Sequence, residues 1–96
     1  MKPIENILRV FVLISQKNGH YFFGQAVDFR RMLAAYNFGK SDFTKKNAPL
    51  AIFASKVAES RTEANRIELE LRKKKSEDEL FLYLMYNNFV IHDDRK

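Results

Sequence analysis

The chain has 96 residues and a mass of 11.3 kDa, enough for one core and therefore one domain. Hydrophobic residues make up 46% and aromatics 14%, which excludes intrinsic disorder, and the complete lack of cysteine excludes disulfides, thiolate metal sites and cysteine nucleophiles. Net charge is +5; divided after Asn47, the first part holds eight cations against three anions and the second nine of each, so the whole excess lies in the N-terminal half, where an acidic partner would dock.

Glu5 and Arg9 interrupt what would be the apolar region of a signal peptide, and the longest uninterrupted apolar run, Leu80 to Tyr86, falls far short of the ~20 residues of a membrane span. An unsecreted, cytoplasmic protein without a membrane segment is expected, in keeping with the cysteine-free composition.

All three glycines and both prolines precede Leu50. Pro3 suits a first helical turn, and Ile4, Ile7, Phe11 and Ile14 follow at spacings of three, four and three before Lys17-Asn18-Gly19, which predicts a helix with a C-terminal stop. The rival is a strand over Val10 to Ser15 turning at Asn18-Gly19, disfavoured because the run is continuously apolar without alternation. Phe22, Ala26, Phe29, Leu33 and Tyr36 repeat at four, three, four and three, predicting a second helix that stops at Gly39, followed by a polar connector from Lys40 to Asn47.

Asn47 can cap a third helix with Pro49 in its first turn, and Leu50, Phe53, Val57, Ser60, Ala64, Ile67 and Leu71 continue the alternating spacing. Arg66 to Arg72 as a strand is the alternative, but Glu68 to Arg72 and Glu70 to Lys74 are favourable pairs four apart on a helix. Ser76-Glu77-Asp78-Glu79 has the form of a capping box and opens a fourth helix ending at Asn87-Asn88. Phe89 to Ile91 can add an extended tail, and residues 92–96 should fray. The expected fold is all-α: an irregular bundle of three or four helices in a single domain, residues 1–96, with one long central helix. A winged-helix-like α+β arrangement, with Arg66 to Arg72 and Leu80 to Tyr86 as a hairpin, is the alternative.

No catalytic constellation emerges. Gly39-Lys40-Ser41 mimics the end of a phosphate-binding loop, but Ala34 stands where that loop needs its first glycine. His20 and His92 have no partner at metal-ligand spacing, Asp93 and Asp94 beside His92 lying in the frayed tail, and no serine sits in a nucleophile motif. No enzyme activity, metal, cofactor or small-molecule substrate is expected. A helix-turn-helix around Gly39 fails because Lys45 would occupy an apolar position and Pro49 would break the second helix. The run Arg72 to Lys75, followed at once by Glu77 to Glu79, reads as two helix ends matched to their dipoles.

Two binding readings remain. As one helix, Ala48 to Lys75 would extend about 42 Å at 1.5 Å per residue, beyond the about 32 Å width of a compact domain this size. Its protruding end would expose Ala64, Ile67 and Leu71, which with Phe81, Tyr83 and Tyr86 predicts a small regulator or adaptor that binds another protein, and itself as a homodimer, through helix faces. The alternative is a nucleic-acid-binding protein in which Arg30, Arg31, Lys40, Lys45 and Lys46 contact phosphates and Phe38 stacks on bases, Tyr36 being spent on the second helix's core stripe. The all-round apolar segment Leu80 to Tyr86 must be covered, either as the central element of the bundle or as the anchor of a partner interface.

Overall fold

A computed structural model describes residues 7–92. The chain is an α+β protein and not an all-α bundle: strands β1 (Arg9–Ser15), β2 (Tyr21–Ala26), β3 (Leu50–Val57) and β4 (Val90–Ile91) form one sheet in the order β2-β1-β3-β4, every neighbouring pair antiparallel. Helices α1 (Phe29–Phe38) and α2 (Asp42–Asn47) cover one face, and α3 (Arg61–Arg72) and α4 (Glu77–Tyr86) cover the other.

β1 is the centre of this three-layer arrangement. Val10, Val12 and Ile14 point to the α3/α4 side, where they meet Ala64, Ile67, Leu71, Leu80 and Leu84; Phe11 and Leu13 point to the α1/α2 side with Leu50, Met32, Leu33, Tyr36 and Phe43. In β3 the register slips between Val12 and Leu13 of its partner, a β-bulge that leaves both Phe53 and Ala54 in the α3/α4 core. The expected helix through Ile4 to Ile14 is thus overturned from Arg9 onward, its start lying outside the described residues, and the disfavoured hairpin exists: Ser15 to Tyr21 turns through Gly19, whose φ of 79° falls where glycine is favoured.

Three further expectations fail with it. The Phe22-to-Tyr36 stripe is half strand and half helix, broken at Val27-Asp28, and Asp28 caps α1 by accepting from the Arg31 N–H. The supposed connector is helix α2, capped by Ser41, which accepts from the Thr44 N–H. The long central helix does not exist: Leu50 to Val57 is β3, Asn47 closes α2 instead of capping a helix, and α3 starts only after Ser60. The alternative had the right class with the wrong strands, since Arg66 to Arg72 and Leu80 to Tyr86 are both helical.

α4 begins as the capping signal implies, Ser76 Oγ accepting from the Glu79 N–H while Glu79 Oε1 accepts from the Lys75 N–H. Ser60 and Glu63 repeat this at the start of α3. Of the tail expected to fray, residues 93–96 lie outside the described residues, and the His92 N–H donates to the Phe53 carbonyl at 2.7 Å while its ring meets Ser55 Oγ at 2.7 Å. Gly39 ends α1 without a left-handed φ; any Cβ there would stand 2.8 Å from the Ala35 carbonyl oxygen, so close approach of backbone demands the glycine. Among the described residues no helix is long and apolar enough to cross a membrane.

Asn37 finishes the start of β3. Its Oδ1 accepts from the Leu50 N–H at 2.7 Å and its Nδ2 donates to the Leu50 carbonyl at 3.1 Å, so one side chain serves both backbone groups as a neighbouring strand would. Asn37→Ala should therefore lower unfolding free energy by about 1–3 kcal/mol, the cost of orphaning such groups. Asn37→Asp should recover little of this, because a carboxylate would face the Leu50 carbonyl. Urea denaturation of the two variants checks both outcomes.

Candidate functional site

The six residues predicted for a protein interface separate. Ala64, Ile67 and Leu71 are buried against the sheet and are core, so there is no protruding apolar stripe. Phe81 and Tyr83 are half-buried: Phe81 stacks on Phe53, and Tyr83 lies under the Lys74 ammonium, 4.8 Å from the ring centroid. Burial raises the Tyr83 phenol above its ordinary pKa; Arg66 opposes the shift and Glu70 adds to it. Tyr86 is 81% exposed, and Leu82 (51%) and Met85 (73%) join it on the outer side of α4, while Leu80 and Leu84 face the core. Within the chain this segment is covered on one side only and is not the central element of a bundle: α4 is two-sided.

The residues predicted to hold nucleic acid lie together on the α1/α2 side. Arg30 and Arg31 occupy the first turn of α1, and the Arg30 guanidinium stands 5.8 Å from the Phe29 ring centroid. Phe38 ends the same helix and is 84% exposed, Lys40 follows it, and Lys45 and Lys46 form the last turn of α2. α1 separates Arg30 from Phe38 by roughly 12 Å at 1.5 Å per residue. Tyr36 packs into the core with its ring tilted against Phe43, as the helical stripe implies.

Sequence reasoning missed the residues that the β1–β2 turn adds. Lys17 donates from Nζ to the Lys45 carbonyl at 2.9 Å, and Asn18 donates from Nδ2 to Asn47 Oδ1 at 2.8 Å, which brings Lys17, Asn18 and His20 beside α2. Between the turn and α2 opens a groove of about 670 Å3, rimmed by His20, Lys45, Lys46 and Asp42 and floored by Phe22 and Phe43, whose rings meet at 4.8 Å. Nothing local in the sequence marks this pairing, because the turn and α2 are nearly thirty residues apart; only the Asn18-Gly19 hairpin signal pointed to it.

Charge divides unequally between the two helical layers. Every ion pair among the described residues belongs to α3 and its C-cap: Arg66–Glu63 at 3.9 Å, Arg72–Glu68 at 3.0 Å and Lys73–Glu70 at 3.4 Å. On the α1/α2 side Lys17, Arg30, Arg31, Lys40, Lys45 and Lys46 are all exposed, with only Asp28 and Asp42 as local anions, and none of these cations forms an ion pair among the described residues. Asp28 is already engaged as the α1 cap. Among the described residues no group of three His, Asp or Glu side chains could hold a metal ion. Comparison with protein-family models, curated proteins and solved structures finds no match.

The groove depends on buried Ser15. Its Oγ donates to the Asn47 carbonyl at 2.6 Å and accepts from the Lys17 and Asn18 N–H groups at 3.1 Å, tying the turn to the end of α2. Ser15→Ala should cost about 1–3 kcal/mol through the orphaned Asn47 carbonyl and turn amides, and should quicken amide exchange at Lys17 and Asn18 selectively. Urea denaturation with residue-resolved hydrogen exchange measures both.

Proposed function

We propose that the protein is a non-enzymatic binding module that holds a single-stranded nucleic acid on its α1/α2 face. The observation that carries the reading is the charge asymmetry: among the described residues every ion pair lies on α3 and its C-cap and none on the α1/α2 side, where a polyanion would release counterions from its phosphates. Phe38, flanked by Lys40 and 84% exposed, supplies an aromatic face on which a base can stack, which favours single strands over duplex. Lys17 and His20 extend the phosphate-binding set beyond Arg30, Arg31, Lys40, Lys45 and Lys46. α2, only six residues long, is too short to serve as a recognition helix in a duplex groove. A cytoplasmic address accords with the cysteine-free composition.

A second reading, a protein partner docking on α4, is favoured by the exposure of Leu82, Met85 and Tyr86. Salt separates the two. Fluorescence anisotropy with a labelled single-stranded oligonucleotide should show affinity falling steeply as salt rises, and Lys46→Ala should reduce the slope of log K against log salt by about 1. Phe38→Ala should lower affinity by about 1–3 kcal/mol with little change in that slope. Lys73→Ala, on the ion-paired side, should do neither. Absence of oligonucleotide binding at low salt would sink the reading in favour of α4.

A further inference from the structure

We propose that β2 is a dimerisation edge, along which a second copy of this chain pairs antiparallel and extends the four-stranded sheet to eight. The two edges of the sheet are finished differently. Along the outer side of β3, Asn37 serves both backbone groups of Leu50, the His92 N–H serves the Phe53 carbonyl, and β4 pairs with Ala54 and Ser55. β4 itself has only two residues, too few to template another strand.

Among the described residues, Phe23 and Gln25 of β2 have no such cover. The Ser15 N–H donates to the His20 carbonyl at 2.9 Å, and the alternation of antiparallel pairing then turns the backbone of Phe22, Gly24 and Ala26 toward β1 and that of Phe23 and Gln25 outward. Among the described residues no group hydrogen-bonds the outward N–H or carbonyl of Phe23 or Gln25. The Gln25 side chain is drawn onto α3, donating to Asn65 Oδ1 and Glu68 Oε1 at 2.7 Å and accepting from Arg61, which leaves its backbone edge clear. The strand Tyr-Phe-Phe-Gly-Gln-Ala contains no charge and no proline, and its pairing with β1 has no bulge, so the usual devices that blunt an edge are missing.

A second copy fits this edge because the strand is its own complement. Under a two-fold axis normal to the sheet, centred on Gly24, the Phe23 N–H and carbonyl meet the carbonyl and N–H of Gln25 in the other copy, and the same exchange recurs across the axis. The faces stay aligned, so each copy's helices remain on their own sides, and an uncharged strand brings no like charge into the pairing.

The test is sedimentation velocity with residue-resolved amide exchange on the full chain across a concentration series. The expected result is a monomer–dimer equilibrium in which exchange at Phe23 and Gln25 slows at least tenfold from dilute to concentrated protein, while Phe22 and Gly24, already bonded to β1, change little. Gln25→Pro removes one outward donor per copy at an edge position that admits proline, and should weaken dimerisation about tenfold or more while unfolding stays cooperative. A monomer at every concentration overturns the proposal and leaves the edge to a strand of another protein. A dimer whose Phe23 and Gln25 amides exchange as fast as in the monomer overturns it as well, and places the contact elsewhere, the apolar side of α4 first. The wild-type exchange data decide the matter even if the proline variant does not fold.

Discussion

Burial of β1 on both faces is the constraint from which the rest of the fold follows. Five consecutive apolar side chains, Val10 to Ile14, are all essentially removed from water, and each such burial is worth about 1.5–3 kcal/mol. A helix could place only part of that run against a core, whereas differences in intrinsic helix propensity among ordinary residues reach only about 0.7 kcal/mol each. A central strand uses every member, provided that both faces of the sheet are covered. The chain therefore needs two helical layers, and it supplies α1 and α2 before β3 and α3 and α4 after it.

The same constraint explains what was hidden in the sequence. A strand buried on both faces shows no alternation, so the continuous run that argued against a strand at Val10 to Ser15 is the signature of a central one. The helical spacing of Phe22 through Tyr36 came from joining alternate residues of β2 to one face of α1 across the Val27-Asp28 break, where Asp28 accepts from the Arg31 N–H and caps a new start. Leu50 to Leu71 was the same kind of coincidence, since the bulge at Phe53 puts neighbours of β3 on one side and blurs its period. What read correctly was local chemistry: the cap at Ser76, and the turn signal of Asn18-Gly19 even though it lost to periodicity, whereas Ser60, taken as a stripe position inside a long helix, is the cap of α3.

Candidate site residues divide along the same line. Exposed cations are legible, because a charge run such as Lys45-Lys46 almost always faces water. Lys17 and His20 join them only through the Ser15–Asn47 and Asn18–Asn47 bonds, long-range contacts that no local pattern encodes. Ala64, Ile67 and Leu71 were misplaced for a different reason: their status as interface residues rested wholly on the length of a helix that β3 interrupts.

The sheet edge and the basic face bear on each other through symmetry. A two-fold axis normal to the sheet keeps both α1/α2 layers on one side, so β2 pairing would set two sets of exposed cations next to one another. Their mutual repulsion opposes the dimer, and a polyanion lying across both layers removes that repulsion while contacting twice as many cations. Thermodynamic linkage then requires that whatever factor dimerisation adds to oligonucleotide affinity, the oligonucleotide adds to dimerisation. Dimerisation should accordingly tighten with rising salt in the free protein, as repulsion is screened, and tighten further with oligonucleotide at low salt, both measurable by sedimentation. A dimer that weakened on adding oligonucleotide would show the two surfaces competing, which helical layers on a shared face do not permit unless the strand itself, and not the α1/α2 side, holds the nucleic acid.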